Sequence, residues 1–243
     1  MKQLLILAAF LAGSMSQAQT PEAEKSPWKH ESEISIVQVG GNSKAESYSA
    51  KQKTSVKLDL NTLTLSARYL QTKTAQVETA KSWDGSARYE RELSNLWAAF
   101  VQHGAESDSY SGYIQRDNSD IGGKYFFIRE TAQNFFSELG YRYSNTNSAT
   151  APGGHTYTNS GRLYVEYSTQ FNEAVSGKLW VEYLPDFKDS EAWLASYEPS
   201  MSVVLNRTFS LKLAYLVKTH NKTATPTEEK NDTTFTTSLV SKF

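Results

Sequence analysis

The sequence alternates apolar and polar residues with a period of two along most of its length, and it contains no run of about 18 apolar residues after its first few positions. That combination fixes the local geometry. A helix repeats every 3.6 residues, whereas a strand sends successive side chains to opposite faces. Along Tyr48 to Leu60, one face holds Tyr48, Ala50, Val56, Leu58 and Leu60, and the other holds Lys51, Lys53, Lys57 and Asp59. Leu63, Leu65, Ala67 and Tyr69 oppose Thr64, Ser66 and Arg68. Trp83, Ala87, Tyr89 and Leu93 oppose Asp84, Arg88, Glu90 and Glu92. The same pattern returns around Phe135 to Tyr143, Leu163 to Tyr167, Leu179 to Tyr183, Trp193 to Leu205, and Phe209 to Lys218. It predicts an all-β chain of about 12 strands.

The connectors predict how those strands are joined. Short ones fall near Leu60-Asn61, Ser94-Asn95, Arg129 to Gln133, Thr169 to Asn172, and Asn206-Arg207. Longer or more polar ones fall near Gly40 to Lys44, Lys73 to Lys81, Ala105 to Ser111, Ser144 to Tyr157, Pro185 to Glu191, and His220 to Asp232. Short alternating with long is the order of a transmembrane up-and-down antiparallel β-barrel, with short turns in the periplasm and longer loops outside. An even strand number agrees with this, because both barrel termini then lie on one side. Tyr48, Tyr69, Tyr89, Tyr143, Tyr167, Tyr183 and Tyr215 stand on the apolar face near strand ends, with Trp83 and Trp193 beside the longer loops. Lipid interfaces favour that placement. A soluble β-sandwich uses the same periodicity, but its core prefers Val, Ile and Leu, since a buried Tyr hydroxyl needs a partner. Four stretches fit less simply. Ile34 and Ile36 conflict with Val37 and Val39, which predicts a bulge; Asn95 to Ala105 is apolar on both faces; Gly122-Gly123 suggests a bend; and Pro199 suggests a second bulge.

Both ends carry address-like features. Residues 1–18 have Lys2, an apolar run from Leu4 to Ala12 and a Ser16-Gln17-Ala18 cleavage pattern, so a cleaved signal peptide is expected. Residues 19–27 then form a short periplasmic segment, and residues 28–243 form the barrel. The chain ends "TTFTTSLVSKF", a closing strand on which Phe235, Leu239 and Phe243 face lipid. A terminal Phe243 on such a strand resembles the signal read by the bacterial barrel-assembly machinery. The expected location is the bacterial outer membrane. Expected partners are outer-membrane lipids and lipopolysaccharide, together with the assembly machinery and periplasmic chaperones during biogenesis.

The stretch "WKHESEISIVQVGGNSKAESYSAKQKTSVK" resembles the opening of the YdiY-like family, described as salt-induced outer-membrane proteins with a domain of unknown function. The resemblance rests on two strands around Gly41, Asn42 and Ser43, although the family more often has Thr at the position of Ser43. It implies an outer-membrane β-barrel and no reaction, cofactor or substrate.

Composition excludes several kinds of chemistry. With no Cys, there is neither a disulfide framework nor a thiolate metal site. Lys plus Arg is 25 against 26 Asp plus Glu, so no basic excess invites nucleic acid. Of the four histidines, His103 with Asp108 is the pairing a barrel protease would use, without diagnostic spacing. His220, Glu228, Glu229 and Asp232 share one loop, but not at the spacing of a known metal loop. No catalytic, cofactor-binding or metal residue is therefore assigned. The candidate functional residues are the charges expected to face the lumen: Lys51, Lys53, Lys57, Arg68, Arg88, Glu90, Glu138, Arg142, Glu166, Lys178, Glu182, Glu198, Lys212 and Lys218. The Lys51, Lys53 and Lys57 stripe favours anions, unless acidic neighbours neutralise it. The expected function is a monomeric, non-enzymatic barrel: a narrow channel for small solutes or ions, or else an envelope-integrity barrel. The alternatives are a surface-loop adhesion protein and an outer-membrane hydrolase.

Overall fold

A computed structural model describes residues 26–39, 45–108, 110, 112–148, 154–222 and 229–242. The expected signal peptide, the Gly41-Asn42-Ser43 turn and Phe243 lie outside the described residues. Twelve strands follow one another: β1 (Trp28–Val39), β2 (Ala45–Leu58), β3 (Asn61–Thr74), β4 (Val77–Glu92), β5 (Trp97–Asp108), β6 (Tyr113–Arg129), β7 (Gln133–Ser148), β8 (His155–Gln170), β9 (Val175–Pro185), β10 (Trp193–Val204), β11 (Phe209–His220) and β12 (Asn231–Lys242). Each pairs antiparallel with its neighbours in sequence, and β1 pairs with β12 to close the barrel.

Contacts across the interior establish which face is which. Lys51 on β2 reaches Glu198 on β10, and Arg88 on β4 reaches Glu138 on β7. Neither pair of strands is adjacent, so these side chains meet through the lumen. Alternation then sends Leu63, Leu65, Val101, Leu139, Leu163, Leu179, Leu211, Leu213 and Leu239 outward, where all are exposed. The buried charged residues Glu33, Asp120, Glu138, Arg162 and Glu198 point inward. A wall that is apolar outside and charged inside suits a bilayer. Such an apolar band encircling a soluble protein would be a large aggregation-prone surface.

Turn chemistry explains the tight connections. Asn172 Oδ1 accepts from the backbone N–H groups of Ala174 and Val175, and Asn206 Oδ1 accepts from those of Thr208 and Phe209, all at 2.9 Å. These Asx turns close β8–β9 and β10–β11. At the opposite end, the expected long connector over Lys73 to Lys81 is absent. Ala75 and Gln76, with φ of 51° and 68°, make a two-residue hairpin instead, and β3 and β4 continue above the belt. Much of Ser144 to Tyr157 is likewise strand, with only residues 149–154 connecting β7 to β8. Polar alternation beyond the membrane reads as loop composition, although the ladder persists in water.

The expected bulges also move. β1 pairs with β2 without interruption from Trp28 opposite Val56 to Val39 opposite Ala45, so Val37 shares the face of Glu33 and Ser35. Pro199 keeps its register opposite Leu179, while the pairing with β11 skips Glu198 and Pro199 and resumes unshifted. A residue without an N–H costs a ladder bond here and adds no extra residue. Register shifts occur at Thr72/Lys73, Glu106/Asp108, Tyr113/Gln115 and Phe126/Ile128.

Candidate functional site

The interior is built asymmetrically. On β5 to β9, alternation points Ala98, Phe100, Phe126, Phe136, Tyr164 and Trp180 into the lumen. Phe126 and Phe136 pack with Ala98, and Tyr164 joins them and stacks on Trp180 at 6.0 Å between ring centroids. Phe100 is 2% exposed. The tip of its ring abuts Gly122, which faces Gly140 across β6 and β7. A Cβ on Gly122 would stand 2.8 Å from the Phe100 ring and 2.6 Å from the Leu139 carbonyl oxygen, and one on Gly140 would stand 2.7 Å from the Ile121 carbonyl oxygen, so Gly122 makes room for the ring and both glycines for close strand approach. The paired glycines thus serve packing where a bend was expected. The Arg88 guanidinium carbon sits 3.9 Å from the centre of the Phe100 ring, a cation–π contact.

Carboxylates complete this half. Glu138 accepts from Arg88 at 2.7 and 3.2 Å and from Arg162 at 2.7 Å. Asp120 accepts from Arg142 at 2.7 and 2.8 Å. Glu182 accepts from Arg162 at 2.7 Å and from Arg142 at 3.4 Å, and Glu90 pairs with Arg88 at 2.9 Å and with Lys124 at 3.3 Å. Glu166 pairs with Lys178 at 2.8 Å and accepts the Tyr164 hydroxyl at 2.6 Å. Each buried charge therefore has an opposite partner, the condition under which burial is tolerable.

The lumen beside these groups is open, and Arg142, Arg162, Tyr164, Trp180 and Glu182 of this half line the space together with residues of the opposite wall. A cavity of about 510 Å3 runs from Glu31 and Lys53 to Tyr113, Thr219 and His220 at the outer end. A second cluster borders it. Glu33 on β1 accepts from Lys212 of β11 at 3.0 Å and Ser238 of β12 at 2.9 Å, and it pairs with Lys51 of β2 at 3.5 Å. Glu198 stands 3.8 Å from Lys212 and 4.0 Å from Lys51. Higher up, Arg68 pairs with Asp84 at 2.5 Å and Arg116 with Glu106 at 3.6 Å. At the periplasmic rim, Glu92 holds Lys57 at 2.7 Å and also Arg129.

The lysine stripe on β2 is thereby divided. Lys51 and Lys57 are neutralised by carboxylates, while Lys53 lines the cavity without an ion pair among the described residues. Lys218, toward the outer end of the same cavity, also has none. The sequence reading omitted Glu33, Asp120, Lys124, Arg162 and all the inward aromatics. A signal for the latter existed. In the doublets Phe126-Phe127 and Phe135-Phe136, alternation must send one ring of each inward, and it does the same for Phe100 between Ala99 and Val101.

The histidines are scattered. His30 lies 3.0 Å from Thr54 Oγ1, His103 lies 2.9 Å from Ser119 Oγ, His155 lies 2.9 Å from Asn145 Oδ1, and His220 lies 3.9 Å from Asp232. His103 points outward and Asp108 inward, so the pairing a protease would use does not assemble. Glu228 lies outside the described residues. Two outer loops are tied together where Lys222 donates to Asp189 and Asn221 Nδ2 donates to the Glu191 carbonyl at 2.8 Å. The hydrogen bond from Lys222 holds the Asp189 carboxyl below its ordinary pKa.

Residues 32–243 match the family of proteins of unknown function DUF481. The chain belongs to the DUF481 family. No curated protein matches it in sequence. Among solved structures, this DUF481 barrel is similar to the NanC porin, with a TM-score of 0.54 at 10% identity over 88% of this chain and 98% of that one. An outer membrane channel from Pseudomonas putida F1 gives a TM-score of 0.53 at 9% identity, over 93% of this chain and 100% of that one. The KdgM porin gives 0.50 at 12% identity, over 88% and 99%. At such identities the likeness is one of fold. Together with the lipid-facing belt, it places this DUF481 protein in the bacterial outer membrane as a β-barrel.

Proposed function

We propose that the barrel is a narrow, non-enzymatic channel for small solutes, with a preference for anions. The observation that carries this reading is the cavity in the lumen, faced by Lys53 and Lys218, which form no ion pair among the described residues. Paired charges contribute little net field to a passing ion, whereas two lysines outside any ion pair, at different heights, attract anions along the path. The aromatic half narrows the lumen, which favours small solutes over large ones.

Planar bilayers test this. In a KCl gradient the reversal potential should report chloride preference, and the double substitution Lys53→Glu with Lys218→Glu should shift it toward potassium. No conductance over repeated insertions of folded protein would refute the channel reading. Conductance with a reversal potential unmoved by the double substitution would refute the role of the two lysines.

A further inference from the structure

The barrel closes by an incomplete seam. Pairing between β1 and β12 runs only from Glu31 opposite Lys242 to Ile34 opposite Leu239. The flanking ladders are full: β1 pairs with β2 up to Val39, and β12 pairs with β11 from Ser241 up to Asn231. Among the described residues, the outer stretch of β1 from Ser35 to Val39 therefore has no ladder partner on β12, over roughly 15 Å at about 3.3 Å per residue. Unpaired strand edges are costly in hydrocarbon, and barrels normally close to avoid them. Just below the split, Glu33 clasps the seam by accepting from Lys212 and Ser238 across it while pairing with Lys51. The clasp lies within the paired part of the seam, between Glu31 and Ile34.

The inner wall beside the split differs from the rest of the lumen. Alternation points Ser35, Val37, Thr236, Ser238, Ala214 and Leu216 inward there, all uncharged and mostly small. Leu216 also lines the cavity, Val37 is exposed, and Ser35, Ala214 and Ser238 are buried small side chains between them. On the outside, Ile36 and Phe235 flank it and are exposed to the bilayer.

We propose that the outer half of the β1–β12 seam is a lateral portal, through which a small, uncharged and largely apolar molecule passes from the lumen into the outer leaflet. An uncharged strip suits such a solute because it contains no group to trap it or to be left desolvated. Edge N–H and C=O groups reached from the wet lumen keep their hydrogen bonds to water. The proposal rests on the channel reading, since the solute must first enter the lumen.

The test uses a double variant, Val37→Cys with Thr236→Cys, which continues the β1–β12 register across the split. The chain has no cysteine of its own, so oxidation yields a single defined cross-link. Uptake of N-phenyl-1-naphthylamine by cells expressing the barrel is followed by its fluorescence in the membrane. Expression should speed uptake several-fold over cells lacking the protein. Oxidation should return the rate to that of those cells, and reduction should restore it. Uptake unchanged by expression, or unchanged by a cross-link verified on gels, would overturn the portal. Chloride conductance of the cross-linked barrel should persist, which separates the readings: lost conductance in the uncross-linked barrel defeats the channel, whereas cross-link-insensitive uptake defeats only the portal. Hydrogen exchange gives an independent check if the disulfide does not form. Amides on the β12-facing edge of Ile36–Val39 should exchange at least ten-fold faster than those of Glu31–Ile34, and equal protection would show a closed seam.

Discussion

Replacing Glu138 with Gln isolates the interior charge network with almost no change of shape. Glu138 is 3% exposed and accepts from two guanidinium groups, Arg88 and Arg162, at 2.7 Å each at closest approach. Gln keeps one acceptor oxygen but turns an NH2 group toward donors and removes the negative charge. Stripping a buried charge of its sole partner costs about 3–5 kcal/mol. Here Arg88 retains Glu90 at 2.9 Å, and Arg162 retains Glu182 at 2.7 Å. The expected loss therefore falls to about 2 kcal/mol, below that range because neither cation is orphaned. Glu198→Gln provides the internal control. Its lysine partners stand at 3.8 and 4.0 Å, beyond hydrogen-bond reach, and Lys51 and Lys212 both keep Glu33. That variant should lose less than about 1 kcal/mol. Urea unfolding of the purified barrel in lipid vesicles, followed by Trp fluorescence and by heat-dependent gel mobility, measures both. Equal midpoints for the two variants, or no loss for Glu138→Gln, would refute the pairing geometry. The same substitution leaves excess guanidinium charge in the lumen, so anion preference should rise.

Other residues give independent tests. Phe100→Ala removes the ring that fills the aromatic half of the lumen, so single-channel conductance should increase while stability falls by about 3–5 kcal/mol. Gly122→Ala forces a Cβ to 2.6 Å from a backbone oxygen, and it should lower the unfolding midpoint with a loss of about 1–3 kcal/mol. Lys222→Ala unties two outer loops through an exposed pair, so proteolysis of those loops in intact cells should quicken with an unchanged unfolding midpoint. Deleting Phe243 tests the proposed assembly signal: unfolded precursor should accumulate in the periplasm, seen as loss of the heat-modifiable band.

Much of the fold was legible because strand geometry is local. Period two in Leu63, Leu65 and Tyr69 against Thr64, Ser66 and Arg68 needs no knowledge of any other strand. The same holds for the Asn172 and Asn206 turns, where one side chain bonds its own backbone two or three residues ahead. Pro199 and Ile34 to Val39 misled for a related reason: sequence shows a local irregularity, but the neighbouring strand decides whether register shifts. The β3–β4 hairpin misled because Thr and Lys beyond the membrane look like loop, whether or not the ladder continues there.

The sequence by itself determined that the chain is all-β, that it alternates apolar and charged faces, and that Lys51, Lys53 and Lys57 share the charged one. The tertiary structure decided which of those three stays unpaired. Glu33, Glu198 and Glu92 come from β1, β10 and β4, and they reach the lysines through the lumen or across the wall. Alternation assigns a side chain to a face, while strand stagger around a closed barrel sets the height at which it meets the others. Only the closed barrel shows that β1 and β12 are joined over part of their length, a property that neither strand's own residues encode.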